Sequence, residues 1–177
     1  ELDMALGKQA KILTKKQIDQ LLWYVGTLRH ALRNEVIVLL SVRAGLRAKE
    51  IAELKWSMLT DADGEIADSI HLTDAASKGR SGRIIPMNTQ LRLKLQDWLA
   101  IAGKQRGFDI ASSHVITTER SARTQAQAIV NMFATWLFAA RKRRTGSRLQ
   151  KSLKRSLIHT RRSRTHLTPS VVTVHLS

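Results

Sequence analysis

The residues best placed to do chemistry lie in one stretch, Ala44-Gly45-Leu46-Arg47-Ala48-Lys49-Glu50-Ile51-Ala52-Glu53-Leu54-Lys55-Trp56. It sets Arg47 just past a glycine bend, at the head of a helix whose next turn is pinned by Glu50, Ile51, Leu54 and Trp56. An arginine there can project into a cleft and aim its planar guanidinium fork at a phosphate, with the helix start adding favourable potential for an anion. The same spacing also fits an ordinary exposed arginine that happens to begin a helix. A second candidate, Lys78-Gly79-Arg80-Ser81-Gly82, reads as a hairpin loop between two strands, and a solvated loop lysine is its plain reading.

A polyanionic partner agrees with the charge. The chain carries 30 Lys+Arg against 14 Asp+Glu, a formal +16 at pH 7. Residues 1–119 hold 17 basic and all 14 acidic residues, whereas residues 120–177 hold 13 basic residues and no acid. Arg141-Lys142-Arg143-Arg144 opens the densest part. A run so one-sided stays solvated or lies along a phosphate backbone, since nothing nearby neutralises it on folding. The absence of cysteine excludes disulfides, thiolate metal sites and cysteine nucleophiles. Apolar runs such as Val36–Leu40 are too short to span a bilayer. With 43% hydrophobic residues, much of the chain should fold.

The elements that must hold these residues are well punctuated over 1–140. Thr14-Lys15-Lys16-Gln17 has capping-box form and opens a helix over 14–28. Asn34 to Ala44, apolar nearly all round, predicts a central buried helix ending at Gly45, with Arg43 a cation suited to its last turn. A third helix starts near Leu46. Asp61-Ala62-Asp63-Gly64 is a turn, Ser69–Thr73 a strand, and Arg83–Met87 the returning strand, with Pro86 favouring an edge. A helix over 89–101, a third short strand at His114–Thr117 and a helix over 126–140 complete the pattern. Ile129, Val130, Phe133, Trp136 and Leu137 form the apolar side of that last helix, and the four tryptophans read as core. The expected fold is α+β, mostly helical with a small three-stranded antiparallel sheet. Residues 141–177 form a basic tail without clear period.

Gly-Leu-Arg-x-x-Glu-Ile-x-x-Leu-x-Trp, at Gly45–Trp56, resembles the first catalytic box of the tyrosine recombinases, or phage integrases. About thirty residues on, Ser77-Lys78-Gly79-Arg80-Ser81-Gly82-Arg83-Ile84-Ile85-Pro86 resembles the hairpin that carries the family's catalytic lysine. The resemblance implies transfer of a DNA phosphodiester to a tyrosine hydroxyl, giving a 3′-phosphotyrosyl link. No metal or other cofactor is implied, so cationic side chains must balance the charge on the phosphoryl oxygens. Arg47 would clamp the scissile phosphate and Lys78 would protonate the leaving 5′-oxygen. Glu50 would orient the site, unless it is a plain helix-surface carboxylate. Arg80, Arg83, Arg141, Arg143 and Arg144 would lie on the DNA backbone. The partners implied are double-stranded DNA and further copies of the chain, as a tetramer on paired sites, in the bacterial cytoplasm at the nucleoid.

His159-Thr160-Arg161-Arg162 fits the family's second box, His-x-x-Arg, although Ser163–Pro169 lacks the apolar helix pattern that follows it in the family. The nucleophile is missing where the resemblance requires it. The sole tyrosine is Tyr24, before Arg47, where it packs as a core or surface aromatic beside Trp23. The expectation is a member that is truncated or frameshifted after about residue 140, binding DNA without cutting it. With few residues before Thr14, the additional DNA-gripping domain that often precedes this one in the family is not expected. The alternative is a non-catalytic basic module for DNA or RNA. Asp61–Glu65 resembles part of a calcium loop, but its glycine falls too early, and the six histidines make no ligand pair at helical spacing.

Overall fold

The computed structural model describes residues 13–73, 82–118 and 121–142. The chain divides into two units, Glu1–Phe138 and Ala139–Ser177, and the elements below belong to the first, apart from 139–142. Helix α1 is Lys15–Gly26, α2 Ala31–Val42, α3 Ala48–Glu53 and α4 Thr89–Ala102. A last helix, α5, spans 126–142. One short 3₁₀ turn, Trp56–Met58, follows α3, and strands β1 (Ser69–Leu72) and β2 (Arg83–Pro86) pair antiparallel.

Helix α2 is the centre. Val36, Ile37, Val38, Leu39 and Leu40 are all buried, so no face of its middle meets water, and α1, α3 and α4 pack around it. Helix α1 contributes Leu21 and Val25, four residues apart on one face. Its start is a complete capping box: the Gln17 N–H donates to Thr14 Oγ1 and the Thr14 N–H to Gln17 Oε1. Asn88 caps α4, its Oδ1 accepting the Leu91 N–H at 2.9 Å. The β1–β2 register pairs Ile70 with Ile85 and Leu72 with Arg83. Ile70 and Leu72 face the core while Ile84 on the opposite face of β2 is 68% exposed.

Three expectations change. Among the described residues the sheet has two strands, and His114 makes only an isolated bridge to Lys55. The reason is the shortness of its partner. Leu54 and Lys55 are the only extended residues between the end of α3 and the 3₁₀ turn, so the pairing stops after the bonds from Val115 N–H to the Leu54 carbonyl and from Trp56 N–H to the Ser113 carbonyl. Trp56 and Trp136 are buried and Trp98 is half-buried, its Nε1 donating to the Val115 carbonyl, but Trp23 is 63% exposed. On α5, Ile129 and Trp136 are buried, whereas Val130, one residue round the helix from Ile129, turns outward.

Candidate nucleic-acid interface

The turn before Arg47 is built by the backbone. After α2 the Arg43 N–H donates to the Leu39 carbonyl and the Leu46 N–H reaches back to the Leu40 carbonyl at 3.1 Å. Between them Gly45 sits at φ +66°, a conformation that costs any residue with a β-carbon. A methyl there would meet no atom within 4 Å, so conformation rather than space demands glycine. Leu46 then plugs into the core and the chain emerges extended at Arg47 (φ −77°, ψ 157°) as the N-cap of α3. Leu46 buried and Arg47 exposed alternate as in a strand, which throws the arginine side chain outward. That guanidinium makes no hydrogen bond or ion pair with any described residue. It is a charged fork left available to an anion.

Its backbone, in contrast, is held tightly. The Arg47 N–H donates to Glu50 Oε2 at 2.7 Å. The same oxygen accepts from Arg83 Nη2 at 3.1 Å. Glu50 is 2% exposed, which removes the reading of it as a helix-surface carboxylate. A carboxylate so buried requires a counter-charge, and β2 supplies it. Glu50 thus joins the turn bearing Arg47 to the strand that follows the Lys78 loop. Leu72 and Arg83 are the pair from which that loop leaves and to which it returns.

Lys78 and Arg80 lie outside the described residues, as do Arg143, Arg144, His159 and Arg162. Arg141 is exposed on α5. Arg43, the expected cation at the end of α2, is exposed four residues before Arg47, and its Nη2 lies 3.5 Å from Gln90 Oε1. Tyr24 is half-buried on α1 against the core. No group of three or more metal-ligating side chains gathers among the described residues. In the 61–65 turn, Asp61 Oδ1 instead accepts the N–H groups of Asp63 and Glu65.

The far end of α3 carries a cluster that spacing did not reveal. Glu53 pairs with Arg123, and His114 stands nearby in the bridge to Lys55. Burial holds the His114 imidazole below its ordinary range, with Arg123 and Lys55 pushing the same way and Glu53 opposing. Thr124 anchors the start of α5, its Oγ1 donating to the Ile116 carbonyl at 2.9 Å.

The family described as Phage integrase family matches residues 11–170. The chain belongs to the phage integrase family. Its fold is similar to that in the crystal structure of XerA recombinase, with a TM-score of 0.57 and 18% sequence identity, over 72% of this chain and 42% of that one. The chain therefore spans less than half the length of that solved relative. No curated protein matches it. The integrase match continues well past the expected limit of resemblance near residue 140 and takes in His159 and Arg162.

Proposed function

We propose that this phage integrase chain binds double-stranded DNA and clamps one backbone phosphate with Arg47, the binding half of site-specific recombination and integration. The observation that carries the reading is the exposed Arg47 guanidinium, without a partner among the described residues, on a backbone fixed by Gly45 and Glu50. Two N–H groups of a guanidinium can span two phosphoryl oxygens, and a fixed backbone lowers the entropy lost in ordering them. In the complete reaction Lys78 delivers a proton to the leaving 5′-oxygen, and His159 with Arg162 forms the second set of phosphate donors. The reach of the family match to residue 170 supports that second assignment. Arg80, Arg141, Arg143 and Arg144 add contacts along the backbone.

Within these 177 residues the sole tyrosine, Tyr24, is on α1, so they supply no nucleophile beyond Arg162 and hold DNA without cutting it. Residues 1–140 act as the catalytic-type domain and 141–177 as a basic tail. Assembly as a tetramer on paired sites, in the bacterial cytoplasm at the nucleoid, completes the reading. The second reading, a non-catalytic DNA- or RNA-binding module, draws on the 13 basic and no acidic residues of 120–177. Binding to a mixed-sequence duplex decides between them. A phosphate clamp predicts that Arg47→Ala weakens binding about tenfold more than Arg155→Ala in the tail. Equal losses favour the plain basic module. A duplex with a nick that traps covalent products should yield no protein–DNA adduct, and an adduct would overturn the non-cutting assignment.

A further inference from the structure

The arginine at the root of the hairpin is turned toward Glu50, although its side chain keeps 44% exposure. Strand alternation groups Arg83 with Ile85, and directly paired residues share a face, so Arg83 stands with its partner Leu72 and with Ile70 on the side of the sheet that packs against the core. Ile84 occupies the solvent side. The Arg83 guanidinium ends at Glu50 Oε2, 3.1 Å away, on a carboxylate that is 2% exposed and has no other charged partner among the described residues. A phosphate drawing Arg83 outward would strand that carboxylate in the core without its cation.

We infer that Arg83 is a positioning residue that latches the root of the Lys78 hairpin to the Arg47 turn through Glu50, and is not itself a phosphate ligand. One oxygen, Glu50 Oε2, carries both ends of the link, the Arg47 N–H at 2.7 Å and the Arg83 guanidinium at 3.1 Å. One end is the backbone of the residue assigned to the phosphate and the other is the strand residue to which the loop bearing Lys78 returns, so the latch fixes the root of that loop against the clamp turn. This rests on the DNA-clamping reading of Arg47.

The test is salt-dependent binding of the full chain to a mixed-sequence DNA duplex, with arginine side-chain NMR of the same complexes. A phosphate ligand contributes about 0.9 to the slope of log K against log salt. Arg47→Ala should therefore lower the slope by that amount, while Arg83→Gln and Glu50→Gln leave it unchanged. Both latch variants should weaken binding by the same factor, about three- to tenfold, and the double variant should be no weaker than either. Arg83→Lys should restore most of the loss. In Arg83→Gln the Arg47 side-chain signal should fall back toward its DNA-free position while the backbone spectrum stays native. A slope lowered by about 0.9 in Arg83→Gln, or losses that multiply in the double variant, overturns the latch. If Arg83→Gln does not fold, the wild-type spectrum decides: an Arg83 signal that stays put on adding duplex supports the latch, and one that moves as Arg47 does overturns it. If Arg47→Ala leaves the slope unchanged, the clamp reading fails by itself. Shared, non-additive losses at Glu50 and Arg83 then still support the latch, and no loss at either refutes it.

Discussion

The two ends of α3 use the same ion pair in different surroundings. The helix has six residues, too few to persist alone, and each end carries a glutamate paired with an arginine from far along the chain. At the N-terminal end Glu50 is 2% exposed and accepts a backbone N–H as well as Arg83. At the C-terminal end the Glu53 and Arg123 side chains are 27% and 59% exposed, and water competes for both. Burial turns the first pair into a fixed joint beneath Arg47, while the second remains a surface contact that steadies the helix and tunes a neighbouring histidine. The end that positions the outward arginine is the one where a lost partner cannot be replaced by solvent.

The largest effect should follow from breaking the buried joint. Arg83→Met leaves Glu50 in the core with only the Arg47 N–H, and should cost about 3 kcal/mol of unfolding free energy. That is the low end for removing one partner of a buried pair, because the Arg83 side chain keeps 44% exposure and water already shares it. Denaturant unfolding checks it through the midpoint at unchanged slope. A loss under about 1 kcal/mol would put Glu50 in the same class as Glu53 and erase the difference between the two ends.

A smaller effect isolates the turn from the ion pair. Gly45→Ala should cost about 1–2 kcal/mol through backbone conformation alone, since φ is +66° and the new methyl meets no atom within 4 Å. The loss in DNA affinity should exceed what that destabilisation explains, because relaxing φ at Gly45 swings Arg47 two residues later. Unfolding and duplex binding measured on the same preparation separate the two. Native affinity in Gly45→Ala would show that Arg47 needs no fixed backbone.

Much of this was readable from residue order where the cause is local. The Thr14–Gln17 capping box, the all-round apolar α2 and the glycine stop at Gly45 depend on neighbours within a turn or two, and all three are present. Arg47 could be placed on a turn for the same reason, as could the paired strands Ser69–Leu72 and Arg83–Pro86 on either side of the loop that lies outside the described residues. Long-range facts were hidden. Nothing around Glu50 says that it is buried, because the cation that permits burial is 33 positions away on β2. The short pairing at His114 depends on how few residues α3 and the 3₁₀ turn leave extended, which periodicity does not report. Trp23, expected in the core, follows a helix face that ends up toward solvent.

The smallest effects belong to the exposed end of α3. The Glu53–Arg123 pair should be worth at most about 1 kcal/mol in a double-mutant cycle, since both side chains keep water and give up rotamer freedom to meet. His114 is the more sensitive reporter. Its pKa is lowered by burial first and by Arg123 second, with Glu53 raising it. Arg123→Ala should therefore raise the His114 pKa and Glu53→Ala lower it, both read from the imidazole carbon-bound proton in an NMR titration. The stability consequence has a definite sign. A histidine whose folded pKa lies below its ordinary 6.5 binds its proton more readily when unfolded, so its contribution is full above that value and is lost as pH falls through it. Arg123→Ala shrinks the gap between folded and unfolded pKa, so its penalty relative to wild type should be greater near pH 8 than near pH 5.5. Burial remains as a cause, so the variant should still lose some stability on acidification. A His114 pKa that does not respond to Arg123 would mean the cation is turned to solvent, leaving Glu53 to hold the end of α3 through backbone packing alone.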